Sequence, residues 1–534
     1  MLKNRFKIDS LVFVLAIGVV SLFVFSKNVQ EQLAGKETVL KKFEQLEDLV
    51  HFPDTHNRRI FQYDKAYKIQ YSVNGGDTYV FDSEIDEDEI ILSYLSHYIT
   101  SFRSKPVYGV QPQLKSILVK ANHSSKHVYS EPKMITFLNE GTHSLPILSL
   151  ITSEKGLFSE DKGIMNMGMD AWHNVGFYLP FWERNANYKR RGEQSKRETY
   201  WQLIEKGIVV FEAKADLQVS GNATRSFPQK SFKLKANRLY GYTEFKYPFF
   251  GKKGIKKYAS LVIRNSGNDN TKTLFADLLM HQLAEKSNVL VQKGMPIVLY
   301  MNGNYWGIYN LRERIDLEMI AAYEKAKPAE VTILEGGGGL LKDGHKSDQE
   351  QFLKLIETLR SKEQVHDLAS IENIIDLNSF IDYIIFETYF GNGDWLHNNA
   401  LWYRADKGRW KWVLNDLDYA LTYQGQNNVT KNYFDYLSAN RTVNATLYNY
   451  LVGIESFRTR LKTRAVEVLK TNLSEKAVTK KVKKLKMSID AEINWHINRW
   501  TNNLSKKTWE DNVQANLDFL IRRNQIYLKQ IEAL

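Results

Sequence analysis

The rhythm of hydrophobic positions changes several times along the chain. Leu11–Phe25 (LVFVLAIGVVSLFVF) is an unbroken apolar run behind Lys3, Arg5 and Lys7. It is shorter than the ~20 residues of a typical bilayer helix, and its length also fits the core of an export signal. No small-x-small cleavage site lies close behind it, which favours an uncleaved anchor over residues 1–28. The basic flank predicts a cytoplasmic N-terminal end and an exported remainder. Val39, Phe43, Leu46 and Val50 then recur at helical spacing, so residues 29–57 read as a helical stalk that packs on the next domain. So short a heptad stripe also leaves self-pairing open.

Between residues 58 and 142 the period shortens to two. Tyr67, Ile69, Tyr71 and Val73 alternate with polar residues, Asn74-Gly75-Gly76 marks a hairpin turn, and Ile117–Ala121 is a second apolar strand. β-like segments continue beyond 143 (LPILSLIT, GIVVFEAKADLQVSG, KSFKLKA). A helix is predicted over Thr271–Lys286, amphipathic through Leu274, Leu278, Leu279 and Leu283. A hairpin comes next, with Ile297–Met301 and Trp306–Leu311 around Asn302-Gly303-Asn304. From about residue 350 the pattern is mostly helical. A β-rich half with one helix thus precedes a helical half, the order of the two lobes of a protein kinase and an α+β fold class.

Composition changes this picture little. The 534 residues carry a net charge of +12, which favours anionic partners such as nucleotides or acidic peptides. The densest basic run, Lys480–Lys486, falls in a helical stretch and reads as a solvated face. No motif supports nucleic-acid binding. The absence of cysteine excludes disulfides, thiolate metal sites and cysteine nucleophiles.

The chemistry concentrates near residue 400. Phosphoryl transfer needs a cation on the phosphates, carboxylate and amide ligands for magnesium, and an acceptor for the attacking hydroxyl's proton. In GNGDWLHNNALWY, Asp394 stands five positions before Asn399. An apolar strand, a Lys407-Gly408 turn and a second strand, Trp410–Leu414, lead to Asn415-Asp416-Leu417-Asp418. A loop and a hairpin between Asp394 and Asp416 would let the two carboxylates meet. Asp and Asn are also common turn residues. The hairpin and the Asp-x-Asp in register favour a site.

The segments LPILSLITSEKGLF, SGNATRSFPQKSFKLK, LVIRNSGNDNTKTLFADLLMHQL, VLYMNGNYWGIYNLRERID, YFGNGDWLHNNALWY and WKWVLNDLDYA together resemble the CotH spore-coat kinase family over roughly residues 145–534. The resemblance implies an atypical two-lobed protein-kinase fold over 143–534, with lobes at about 143–315 and 316–534. It also implies phosphorylation of secreted or surface proteins from ATP with Mg²⁺ or Mn²⁺. By the same match Asp394 would be the catalytic Asp, Asn399 and Asp416 the metal ligands, and Asp418 an assistant or a turn cap. Residues 58–142 resemble, more loosely, the small immunoglobulin-like sandwich found beside surface-enzyme domains, on YKIQYSVNGGDTYVF and SILVKANHSSKHVYS.

The phosphate-binding part is read from the turn Ser220–Thr224 and its flanking cations Arg225 and Lys230. On the strand Ser231–Lys235, Ser231, Lys233 and Lys235 share one face, and Lys233 is preferred over Lys230 for the phosphates. Asp277, on the following helix, is the candidate to hold that lysine, although this chain has Ala276-Asp277 where the family often has Arg-Asp. Arg264, Asp269 and Glu313 read as structural ion-pair residues ahead of direct catalysis. The run Gly336–Gly339 lacks the Gly-Lys-Ser/Thr of a Walker loop, and His397 reads as a hydrogen-bonding spacer. Two competitors to the kinase reading remain: transfer of another group, such as a nucleotidyl group, on the same fold, and a non-catalytic surface scaffold.

Overall fold

The computed structural model describes residues 50–51, 62–63, 67–73, 78–80, 115–123, 133–137, 143–172, 179–180, 182–361, 367–500 and 504–534. The apolar run Leu11–Phe25 lies outside the described residues. No described helix is long and apolar enough to cross a membrane. Val50–His51, at the end of the expected stalk, is not helical but pairs antiparallel with Gln62–Tyr63.

The chain divides into two compact units. One holds the described residues through 172 together with Asn185–Ala215 and Val298–Gly307; the other holds Asp216–Ile297 and Ile308–Leu534 with the short piece 179–184. In the first unit, Tyr67–Val73 pairs with Thr78–Val80 and with Lys115–His123, which pairs with Lys133–Phe137. This is one four-stranded antiparallel sheet. Of the expected immunoglobulin-like sandwich, the described residues give this single sheet. Ile147–Thr152 pairs antiparallel with Arg197–Glu205 and parallel with residues 298–301. The strands Gly294–Met301 and Asn304–Glu313 are joined at Asn302-Gly303, both with positive φ, as a two-residue hairpin turn requires.

The second unit contains the candidate site. Its first sheet pairs residues 216–220 with Ser231–Lys235, then Ser260–Arg264, then residues 310–313, all antiparallel. Leu217, Val219, Phe232, Leu234, Leu261, Ile263 and Leu311 are buried on one face, each worth roughly 1.5–3 kcal/mol when fully buried. Opposed residues share a face. The register therefore lines up Gln218, Lys233, Val262 and Arg312 on the other side, with Arg264 two residues along from Val262. The expected helix is present in shortened form, Ala276–Leu283.

A second sheet has the order Leu340–Asp343, Val331–Glu335, Leu401–Ala405, Lys411–Val413. Its last two strands are the hairpin expected before Asp416, with Leu401 opposite Val413. The helix Leu377–Phe390 (LNSFIDYIIFETYF) runs through the centre, every residue but Asn378 buried. Asp376 caps its start by accepting from Ser379 N at 3.1 Å, and Gly391 ends it in the left-handed region at φ 66°. Arg523, fully buried on the helix Lys506–Glu532, donates to the carbonyls of Thr388 and Tyr389 at 2.9 and 3.2 Å. Those are carbonyls a helix end leaves without partners. The guanidinium thereby fixes where the chain emerges toward Asp394.

Candidate active site

Asp394 comes directly after that helix end. Glu387 Oε2 accepts from Asn392 Nδ2 at 3.1 Å, and Asn392 Oδ1 accepts from Asp394 N at 3.2 Å. Gly393 N donates to the Tyr419 carbonyl at 3.1 Å, binding this loop to the segment that carries Asp416 and Asp418. Trp395, fully buried, donates its indole N–H to Tyr383 at 2.8 Å. The run Gly336–Gly339 supports the loop from beneath: Gly336 N and Gly337 N donate to the carbonyls of Ala400 and His397, each at 2.9 Å. Leu396 O would lie 3.0 Å from a Cβ at Gly337. The glycines allow this close approach. His397 pairs with Asn440 at 3.0 Å.

Asp394 and Asn399 meet side chain to side chain, whereas Asp416 approaches Asn399 through its backbone carbonyl and turns its carboxylate to Arg264. Asn399 Nδ2 donates to Asp394 Oδ2 at 3.0 Å and reaches the Asp416 carbonyl at 3.5 Å. Its amide oxygen is thereby left for another ligand. Asp416 sits in the left-handed region at φ 52°, a conformation more common for Asp than for most residues and typical of functional loops.

Arg264 is the hub of the site. Its Nη2 contacts Asp416 Oδ1 and lies 2.6 Å from Asp418 Oδ2, and its Nε lies 3.7 Å from Asp277 Oδ2. Asp418 also accepts from Asn268 Nδ2 at 2.9 Å and Asn268 N at 3.2 Å. Gly267, at φ 59°, makes room: a Cβ there would overlap the Asp418 carboxylate.

Asp277 pairs differently from expectation. Its partners are Arg312, Arg264 and His281, and its Oδ1 accepts from Leu417 N at 2.8 Å. No lysine is among them. The sheet register explains this correction. Arg264 and Arg312 project from the same polar face as Lys233, and their longer forked groups take the buried carboxylate. Asp277 therefore orients the Asp416–Asp418 segment through the Leu417 amide.

Ionisation is set by these contacts. Burial alone would raise Asp277, but Arg312 and Arg264 hold it well below the usual carboxylate range. Burial would lower Arg264, but Asp416, Asp277 and Asp418 outweigh it and keep the guanidinium protonated. Burial, then the neighbouring Asp416, pushes Asp418 well above its ordinary value. Burial lowers His281 and keeps it neutral. Three carboxylates, Asp277, Asp416 and Asp418, thus face Arg264, and Asp277 also faces Arg312. The donors available to a cation are carboxylate and amide oxygens, the set that magnesium or manganese takes. Among the described residues no group of three or more His, Asp or Glu forms a ready-made metal cage. Magnesium sites that borrow phosphate oxygens have no need of one.

The expected phosphate-binding cations occupy different surroundings. Lys230 is fully buried, and its Nζ donates to the carbonyls of Arg225 and Phe227, each at 2.9 Å. Arg225 is buried, with Nε donating to the Gly221 carbonyl at 2.7 Å. Both side chains bind their own turn. Lys233 is half-buried on the polar face, diagonal to Arg264. Asp269 accepts from Thr273 and from Ala276 N, capping the helix Ala276–Leu283. Glu313 accepts from Lys293 N and Tyr323. Both brace neighbouring segments through hydrogen bonds and, among the described residues, form none of the ion pairs that the sequence suggests. Arg312, Asn268 and the Glu387–Asn392 pair were not singled out by the sequence. Strand register, which sequence spacing does not encode, puts Arg312 on the Lys233 face, and nothing local marks the other two.

The model of the family described as CotH kinase protein matches residues 217–527 of this chain, more than half of its length and beginning where the second unit begins. No curated protein matches it.

Proposed function

This chain belongs to the CotH kinase family, and from that premise we propose that it is a metal-dependent protein kinase moving the γ-phosphoryl group of ATP to a Ser or Thr hydroxyl of a surface or secreted protein. Family membership carries a kinase-like phosphotransferase function. The single observation behind the finer reading is the Asp394–Asn399 side-chain pair, with the backbone carbonyl of Asp416 within reach of the same amide.

Asp394 accepts the proton of the attacking hydroxyl as the new O–P bond forms and the bond to the departing nucleoside diphosphate breaks. Asn399 keeps Asp394 in place with its Nδ2, and its Oδ1 together with the Asp416 carboxylate, assisted by Asp418, would hold a divalent cation. Bound Mg²⁺ or Mn²⁺ would neutralise charge on the phosphates. Asp277 and Arg264 hold the Asp416–Asp418 segment and balance its charge. The basic-flanked run Leu11–Phe25 supports an anchored chain with its catalytic unit outside the cytoplasm.

The purified chain, Mg²⁺ and an envelope-protein extract should yield labelled protein from γ-labelled ATP and none from α-labelled ATP. Label from the α position would mean nucleotidyl transfer instead. Label from neither would leave the scaffold reading in its place.

A further inference from the structure

The loop between the strand Ser260–Arg264 and the helix Ala276–Leu283 is fixed to the site at several points. Asn268 bonds Asp418, and Gly267 lies against it. Ser266 Oγ and Asn310 Nδ2 both donate to the Leu274 carbonyl. Buried Trp509 donates its indole N–H to the Thr273 carbonyl at 3.0 Å. A side chain on this loop is therefore held in a defined place relative to Asp418.

Lys272 is that side chain. Its Nζ rests over the Tyr423 ring at 4.5 Å. Tyr423 packs on Tyr419 at 4.6 Å, and Tyr419 is the next residue after Asp418 in the chain. The field of Asp418 is felt at Tyr423, whose pKa burial, Tyr419 and Asp418 all raise. Lys272 is half-buried, which draws its pKa below the ordinary lysine range. Its Nζ has no hydrogen bond and no ion pair among the described residues. The nearest acid acting on it, Asp269, spends both oxygens on Thr273 and Ala276 N. An ammonium carries three donors, and the described residues supply an acceptor to none of those on Lys272, whose side chain stays half-exposed. By contrast, Lys230 is consumed by two backbone carbonyls.

We propose that Lys272, carried on Tyr423 and on the loop that Asn268 bonds to Asp418, binds a phosphate oxygen of the polyphosphate chain. This deepens the kinase reading and rests on it for the nucleotide, though not for the anion. An anion here would receive the donors that the protein leaves unused, on a loop bonded to Asp418, one of the carboxylates proposed to hold the cation. Charge-assisted hydrogen bonds of this kind are worth enough to change affinity by at least about tenfold.

The test is calorimetric binding of Mg²⁺–ATP, Mg²⁺–tripolyphosphate and adenosine to the full chain and to K272Q and K272R. K272Q should weaken ATP and tripolyphosphate by at least about tenfold and leave adenosine unchanged, while K272R should retain most of the affinity. Equal affinity of K272Q and wild type for both phosphates overturns the proposal. If wild type binds tripolyphosphate but not ATP, and K272Q loses it, the nucleotide reading fails and the anion site stands. If wild type binds neither phosphate, both fall. A circular dichroism spectrum matching wild type identifies a folded variant, and K272R serves where K272Q does not fold.

Discussion

Asp277→Asn separates a structural hub from an ordinary polar residue. Asp277 is 3% exposed. Its Oδ2 takes Arg312 and lies 3.7 Å from Arg264, and its Oδ1 takes the Leu417 amide. Asparagine keeps the shape and loses the charge. Arg312, 1% exposed, would be left with two 3.4 Å contacts to Gln292. Breaking one partner out of a buried ion pair costs about 3–5 kcal/mol. The Arg264 pair at 3.7 Å is worth roughly 4 kcal/mol at an effective dielectric near 20, and Asp416 and Asp418 offset part of that loss. Typical total stabilities are only about 5–15 kcal/mol, so a net loss of about 3–5 kcal/mol should shift urea unfolding, monitored by tryptophan fluorescence, to clearly lower concentration. Removing both partners leaves no unpaired charge, so Asp277→Asn/Arg312→Met should recover much of the loss. A single variant within about 1 kcal/mol of wild type, or a double no more stable than the single, would refute the reasoning.

Two further outcomes concern ionisation and topology. Burial raises Glu387 to about 8 from 4.5, and its Oε1 has no partner. Between those values the folded chain holds one proton more than the unfolded chain. Stability on this account is complete at low pH and falls by about 1.4 kcal/mol per pH unit as pH rises toward 8. Glu387→Gln should flatten the loss of melting temperature between pH 5 and 8, and an unchanged slope would count against it. Protease added to intact, outer-layer-stripped cells should digest residues 29–534, and full protection would sink the anchored topology.

The sequence was most legible where local chemistry repeats. Asp394-x₄-Asn399 and the hairpin before Asp416 were readable because a loop, two short apolar strands and a turn dictate where their ends go. The polar face of Ser231–Lys235 was readable from alternation alone. The hub was not, because Arg264 reaches Asp416 and Asp418, and Asp277 reaches the Leu417 amide between them, across 140 to 154 residues of sequence. Only strand register, which sequence spacing does not encode, puts Arg264 and Arg312 beside Asp277. A lysine was expected there by analogy with other kinases, whereas the forked donors of two arginines satisfy a buried carboxylate better. Lys272 was hidden for another reason: its character lies in the partners it lacks, and those are visible only once its neighbours are placed.

The most direct measurement compares Asp394→Asn and Asp416→Asn for phosphoryl transfer and for binding of Mg²⁺–ATP in parallel. Asp394 is assigned the proton and Asp416 the cation. Asp394→Asn should therefore bind metal–nucleotide nearly as wild type and transfer about 10²–10⁴-fold more slowly. Asp416→Asn should lose metal-dependent binding and turnover together, since it weakens the charge that stabilises the transferring group. Full transfer by Asp394→Asn would contradict the central assignment.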